Sequence, residues 1–106
     1  MLQDKDCALV FKALADDTRI KILNLLCTSD MSMTEMLNEL DISQPTVSYH
    51  IATMKEAGLI NSNRCGTIKK CSINYEKLIE IQKWISCICG EKENDENEGI
   101  RSILSP

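Results

Sequence analysis

Apolar residues recur along this chain at spacings that predict five helices and one hairpin. Cys7, Val10, Phe11 and Leu14 stand at i, i+3, i+4 and i+7, the signature of one helical face. A second helix is predicted from Asp17-Thr18, an N-cap signal, through Ile20, Leu23, Leu26 and Cys27 to the polar Thr28-Ser29-Asp30. Cys27 is expected on its apolar face as a small buried hydrophobe. Ser32-Met33-Thr34-Glu35 reads as a capping box, in which hydroxyl and carboxylate each accept from the other residue's backbone N–H. A short third helix follows with Met33, Met36, Leu37 and Leu40 inward. Ser43 is placed to cap a fourth, whose first turn contains Pro45 where a missing N–H does little harm. Val47, Ile51 and Met54 form its core face, and Gly58 ends it.

Beyond Gly58 the period changes. Leu59–Asn63 and Ile68–Ile73 read as short strands around an Arg64-Cys65-Gly66-Thr67 turn, with Gly66 free to take positive φ. A last helix, from about Tyr75 to Cys89, aligns Leu78, Ile81, Ile85 and Ile88, with Ile79 and Trp84 widening the stripe and Gly90 as its C-cap. That is more apolar surface than the last helix of a small domain needs for itself, so a second subunit is expected to cover it. The fold class expected is mainly α (α+β), in the order four helices, two strands, one helix. Residues 1–90 form the expected domain, and 91–106 a tail too polar to order itself.

With 106 residues, 43% apolar and 26% charged, the composition is that of one compact globular domain. Its longest apolar run, Cys7 to Phe11, has five residues, against roughly 20 for a membrane span. The N-terminus has neither a basic start nor an apolar leader, so no membrane association and a cytosolic address are expected. The net charge of −4 resides in residues 91–98, which hold five acids and one base. Residues 44–75 carry Lys55, Arg64, Lys69 and Lys70 against Glu56 alone, so an acidic chain still presents a local basic field to a phosphate backbone.

The third and fourth helices, joined by about four residues, form a helix-turn-helix pattern. Gln44, Thr46, Ser48 and Tyr49 have no apolar duty on the second of them, and small hydroxyls and an amide near a helix start can meet base edges in a major groove. His50 follows and is grouped with them as a DNA or packing contact. The basic hairpin behind this helix reads as a wing, with Arg64, Lys69 and Lys70 placed for phosphates or the minor groove. One histidine and no Gly-rich phosphate loop leave no constellation for an enzyme. The competing reading is a winged-helix module that binds protein, which would instead show apolar anchors on the fourth helix.

Three stretches resemble the ArsR/SmtB family of dimeric winged-helix repressors: Phe11-Lys12-Ala13-Leu14-Ala15-Asp16-Asp17-Thr18-Arg19-Ile20-Lys21-Ile22-Leu23, Ile42-Ser43-Gln44-Pro45-Thr46-Val47-Ser48-Tyr49-His50-Ile51, and Met54-Lys55-Glu56-Ala57-Gly58-Leu59-Ile60. The resemblance covers roughly residues 8–89. It implies a winged helix-turn-helix homodimer, formed by first and last helices, that binds an inverted-repeat operator in double-stranded DNA. It also implies release by an effector, often a soft metal or metalloid. By this likeness Leu78, Ile81, Trp84, Ile85 and Ile88 belong to the dimer interface.

The family's familiar metal sites are not written here. Where arsenic, cadmium and lead sensors typically carry Cys-x-Cys at the third helix, Ser32 and Thr34 stand. Where zinc and cobalt sensors carry carboxylates and imidazoles on the last helix, Lys77, Ile79, Gly90 and Glu93 stand. Met31, Met33 and Met36 are read as core filler rather than a Cu(I) site.

Six cysteines contain no Cys-x-x-Cys, and a reducing cytosol argues against a disulfide framework. Cys87 and Cys89 remain as sensor candidates, with Cys7 of a second subunit as the third thiol that a family-type dimer would bring. Two residues apart on a helix, Cys87 and Cys89 point about 200° apart, so sharing one ion requires the last turn to open. No cofactor is certain. Three thiolates suit As(III), Cd(II) or Pb(II), whereas oxidation, persulfidation and a purely structural role stand as alternatives.

Overall fold

The computed structural model describes residues 2–90, so the expectation for 91–106 lies outside the described residues. Five helices enclose a small sheet: α1 (Asp4–Leu14), α2 (Asp17–Thr28), β1 (Met31–Ser32), α3 (Met33–Glu39), α4 (Gln44–Glu56), β2 (Ile60–Cys65), β3 (Ile68–Ile73) and α5 (Tyr75–Ile88). This is a winged helix-turn-helix. The two-residue strand β1, too short to leave a period in the sequence, pairs antiparallel with β3 and extends the hairpin to three strands in the order β1-β3-β2.

Each helix start has a physical cause. Asp16, one residue before the predicted signal, caps α2 by accepting from Arg19 N–H at 3.1 Å. At α3 the capping box forms as expected, with Ser32 N–H on Glu35 Oε1 at 2.9 Å and Glu35 N–H on Ser32 Oγ at 3.2 Å. Ser43 accepts from Thr46 N–H to open α4.

Val10, Ile22, Met36, Val47, Met54 and Leu59 are the most deeply buried side chains, so α1, α2, α3 and α4 converge on one core. The buried stripe of α2 runs through Ile22 and Leu26, which leaves Ile20 and Cys27 exposed, against the expectation for both. Cys27 lies one residue, about 100° of helix rotation, beyond Leu26 and so points away from the core.

α4 ends in a Schellman motif. Leu59 N–H reaches back to Met54 O at 2.9 Å and Gly58 N–H to Lys55 O at 3.0 Å, with Gly58 at φ +80°. Asn74 then joins two helix ends: its Nδ2 donates to Gly58 O at 2.8 Å, and its Oδ1 accepts from Lys77 N–H at the start of α5. The wing turns on two residues, Gly66 and Thr67, with Cys65 paired to Ile68. β2 therefore runs two residues further than its predicted end at Asn63, and Arg64 lies within the strand.

A Cβ at Gly58 would lie 2.9 Å from Lys77 Cε, on a backbone that side chains rarely adopt. Gly58→Ala is expected to lower stability by about 1 kcal/mol, most of it from the left-handed backbone. Denaturant unfolding checks this, and a Gly58→Ala/Lys77→Ala double variant should recover little, because the Lys77 stem is flexible.

Candidate nucleic-acid interface

α4 buries Val47, His50, Ile51 and Met54. At about 100° per residue, that fixes Pro45, Ser48, Tyr49 and Ala52 on the opposite face. Gln44 and Lys55 fall on one flank, Thr46 and Thr53 on the other. Gln44, Thr46, Ser48 and Tyr49 are all exposed, so four of the five residues selected on this helix reach solvent. Thr46 has a second duty, its hydroxyl lying 2.9 Å from Ser43 Oγ at the cap. Lys55, counted in the basic field but not among the expected DNA contacts, is exposed on the same flank as Gln44. Its place seven residues after Ser48, two turns along, was the available signal.

His50 is a correction. It is 8% exposed, and its Nδ1 lies 3.1 Å from Arg19 Nη1 and 3.9 Å from Asp16 Oδ2. The imidazole packs against the start of α2, so it is no outward DNA contact. Its place three residues after Val47 puts it on the buried stripe, a position the motif reading overlooked. The Arg19 backbone N–H, and after it the charge of the Arg19 guanidinium, hold the Asp16 carboxyl below its ordinary pKa.

Arg64 and Lys69 sit directly opposite each other in the wing, on the face that begins with the buried Ile60–Ile73 pair and continues through Ser62–Cys71. Both are exposed near the tip, where two like charges repel unless an anion lies near them. Lys70 belongs to the other face, beside Asn63. Its ammonium is 3.8 Å from Glu35 Oε1, which ties the wing to the start of α3. The Ser32 backbone N–H, then the Ser32 hydroxyl and the Lys70 charge, hold the Glu35 carboxyl below its ordinary pKa. The three selected bases are thus two at the tip and one braced against the body.

Along α5 the predicted stripe changes from core to surface. Ile81 is buried, Leu78 and Trp84 are half-buried, and Ile79, Ile85 and Ile88 are 48%, 45% and 64% exposed. Trp84 meets Phe11 of α1 with ring centres 5.4 Å apart. Two grooves flank this contact: one of about 310 Å³ bordered by Cys7, Phe11 and Trp84, another of about 450 Å³ bordered by Leu2, Trp84 and Cys87. Cys7 is buried, Cys87 exposed, and Cys89 exposed at the C-cap. Among the described residues no three His, Cys, Asp or Glu side chains of one chain converge as a metal site. Cys71 pairs across the wing with Ser62 and not with the exposed Cys65, so the register keeps these two thiols apart. Among the described residues no helix is long and apolar enough to cross a membrane.

Residues 16–62 match the bacterial regulatory protein, arsR family. The chain is 35% identical over 86 residues to the transcriptional repressor SdpR of Bacillus subtilis, covering 81% of this chain and 96% of that protein. It is 31% identical over 96 residues to an arsenical resistance operon repressor of Escherichia coli, covering 90% of this chain and 79% of the relative. Its backbone superimposes, with a TM-score of 0.67 and 25% identity, on the homodimeric winged helix-turn-helix DNA-binding domain of a possible ArsR-family transcriptional regulator from Mycobacterium bovis. That match covers 82% of this chain and 81% of the other.

Proposed function

From the premise that the chain belongs to the arsR family of bacterial regulatory proteins, we propose that this DNA-binding transcriptional repressor, which is not an enzyme, acts as a homodimer, reads an inverted-repeat operator through α4 and is released by a thiol-reactive effector. The observation that carries the reading is α4 itself. A serine-capped helix N-terminus, where the backbone favours anions, leads into a polar exposed face of Gln44, Ser48 and Tyr49. Arg64 and Lys69 at the wing tip supply phosphate contacts, and Lys70, partly held by Glu35, supplies a weaker one. A protein-binding module would need apolar anchors on this face, and of the large hydrophobic side chains only Tyr49 is exposed there.

Dimerisation is supported by Ile85 and Ile88, two exposed isoleucines that continue the stripe begun by the buried Ile81. The Mycobacterium bovis domain of the same fold is homodimeric. Inverted-repeat recognition follows, because two α4 helices related by a two-fold axis read two half-sites about one DNA turn apart.

For the effector, the thiols at the α1–α5 junction are the reading favoured. Cys7 and Cys87 border grooves on either side of Trp84, and Cys89 lies just beyond. Among the described residues one chain does not assemble three ligands, so As(III), Cd(II) or Pb(II) would need Cys7 from the second copy; the donor set is right for a soft ion. The exposure of both Cys87 and Cys89 favours a second reading, oxidation or persulfidation at the same place. A shift at this junction changes the spacing of two reading heads, and a coupling of about 1 to 3 kcal/mol gives 5- to 150-fold release.

Gln44→Ala and Ser48→Ala are each expected to lose roughly 1 to 3 kcal/mol of operator binding and to alter sequence preference, while Lys69→Ala weakens all sequences alike and lowers the salt slope by about one. Anisotropy titrations over several salt concentrations check both, and unchanged binding by the α4 variants rules out the reading face. In sedimentation, Ile85→Asp should yield monomer or aggregate, since burying such a side chain is worth roughly 1.5 to 3 kcal/mol; an intact dimer refutes the interface. Finally, the reduced protein should show thiolate-to-Cd(II) ultraviolet absorption, or release DNA under oxidant with rescue by reductant. A Cys87→Ser/Cys89→Ser variant that still responds to every effector removes these thiols from sensing.

A further inference from the structure

The polar junction of α1, α2 and α4 takes no part in the contacts assigned so far. Arg19, in the first turn of α2, spans it: Nε donates to Ala13 O at the end of α1, and Nη1 lies 3.1 Å from His50 Nδ1 in α4. A guanidinium has only donors and does not lose its proton. His50 Nδ1 must therefore be the acceptor, and the imidazole hydrogen sits on Nε2. One side chain thus joins the carbonyl end of α1 to the buried side of the reading helix.

Charge around the imidazole is lopsided. From α2 it meets Arg19 at 3.1 Å and Asp16 Oδ2 at 3.9 Å, and that carboxylate oxygen already accepts from Arg19 N–H at 3.1 Å. A groove that Arg19 also borders is lined by Lys12 of α1 and by Glu56 and Tyr49 of α4, the Tyr49 ring meeting the imidazole edge-on. From α3, Glu35 is turned to Ser32 and Lys70, and Glu39 borders a separate groove with Lys21 and Asp41. Arg64 of β2 lies near the wing tip, in the strand pair next to the turn. A proton on Nδ1 removes the Arg19 bond and sets two cations face to face. Among the described residues Asp16 Oδ2, 3.9 Å away at the N-cap of α2, is the alternative partner, and shortening that distance to a hydrogen bond requires the imidazole to shift toward the cap.

We infer that the Arg19–His50 hydrogen bond is a latch that sets the reading helix on the body of the domain, and that protonating His50 releases it, so that operator affinity falls in acid. The inference rests on the reading of α4 proposed above. His50 is here a positioning residue: it is buried and acts through the pose of Gln44, Ser48 and Tyr49. The sign separates the latch from simple electrostatics, because added positive charge on a DNA-binding protein strengthens phosphate binding.

This chain has a single histidine, so an imidazole contribution to a pH profile comes from His50. Operator binding by the full-length protein, followed by anisotropy at fixed salt, should weaken at least about fivefold from about pH 7.5 to about pH 5.5. His50→Asn keeps an acceptor near the Nδ1 position and cannot be protonated, so its profile should be flat or rise in acid. Circular dichroism at both pH values verifies that each protein stays folded. Parent binding that holds or strengthens in acid, or a His50→Asn variant that weakens equally, overturns the latch. In the DNA-free protein, nitrogen NMR of the imidazole at about pH 7.5 should show the Nε2–H tautomer; an Nδ1–H tautomer also overturns it. Failure to bind operator at any pH would refute the reading of α4 instead, while the tautomer still decides the latch.

Discussion

The seating of α4 on the body is the constraint on which the rest of the molecule depends. A helix that reads DNA must leave one side bare, so its pose rests on a single buried stripe and its two ends. Val47, Ile51 and Met54 lie in the core with Ile22, Met36 and Leu59, and Ser43 caps the start. At the other end the Schellman turn at Gly58 is held by Asn74, the residue that also starts α5. Movement of α5 therefore has a short covalent and hydrogen-bonded route to the end of α4.

Charge is distributed to suit the same task. A chain of net charge −4 keeps its acidic excess in residues 91–98, while the wing presents Arg64 and Lys69 opposite each other. Lys70 points to the other face and braces the wing against the capping box of α3. The surface pair adds little stability by itself, but it connects the helix-turn-helix to the wing at the point where β1 joins the sheet.

The apolar stripe of α5 serves two environments in succession. Ile81 completes the core, Trp84 leans on Phe11 at its edge, and Ile85 and Ile88 run on into solvent. Cys7 and Cys87 border grooves beside this edge, where the surface proposed for a second subunit begins. A thiol modified or ligated there would act where α1 and α5 meet, so sensing and dimer geometry would share one junction.

Periodicity and caps alone determined the five helices, the wing, the capping box at Ser32–Glu35, the end at Gly58 and the polar face of α4, because each depends on residues within four or five positions of one another. Local pattern placed Ile20 and Cys27 on the wrong side of α2, since several helical phases fit a short stripe and only packing against α1 and α4 selects Ile22 and Leu26. It missed β1, whose two residues become a strand only by pairing with residues some forty positions later. It grouped His50 with the outward residues although its place three residues after Val47 puts it on the buried stripe; what local pattern could not give is its partner Arg19, thirty-one positions earlier in sequence. It joined Lys69 to Lys70, although neighbours on a strand face opposite ways and the partner of Lys70 lies on α3. What only the tertiary structure decided are contacts between residues far apart in sequence, which no short-range period encodes.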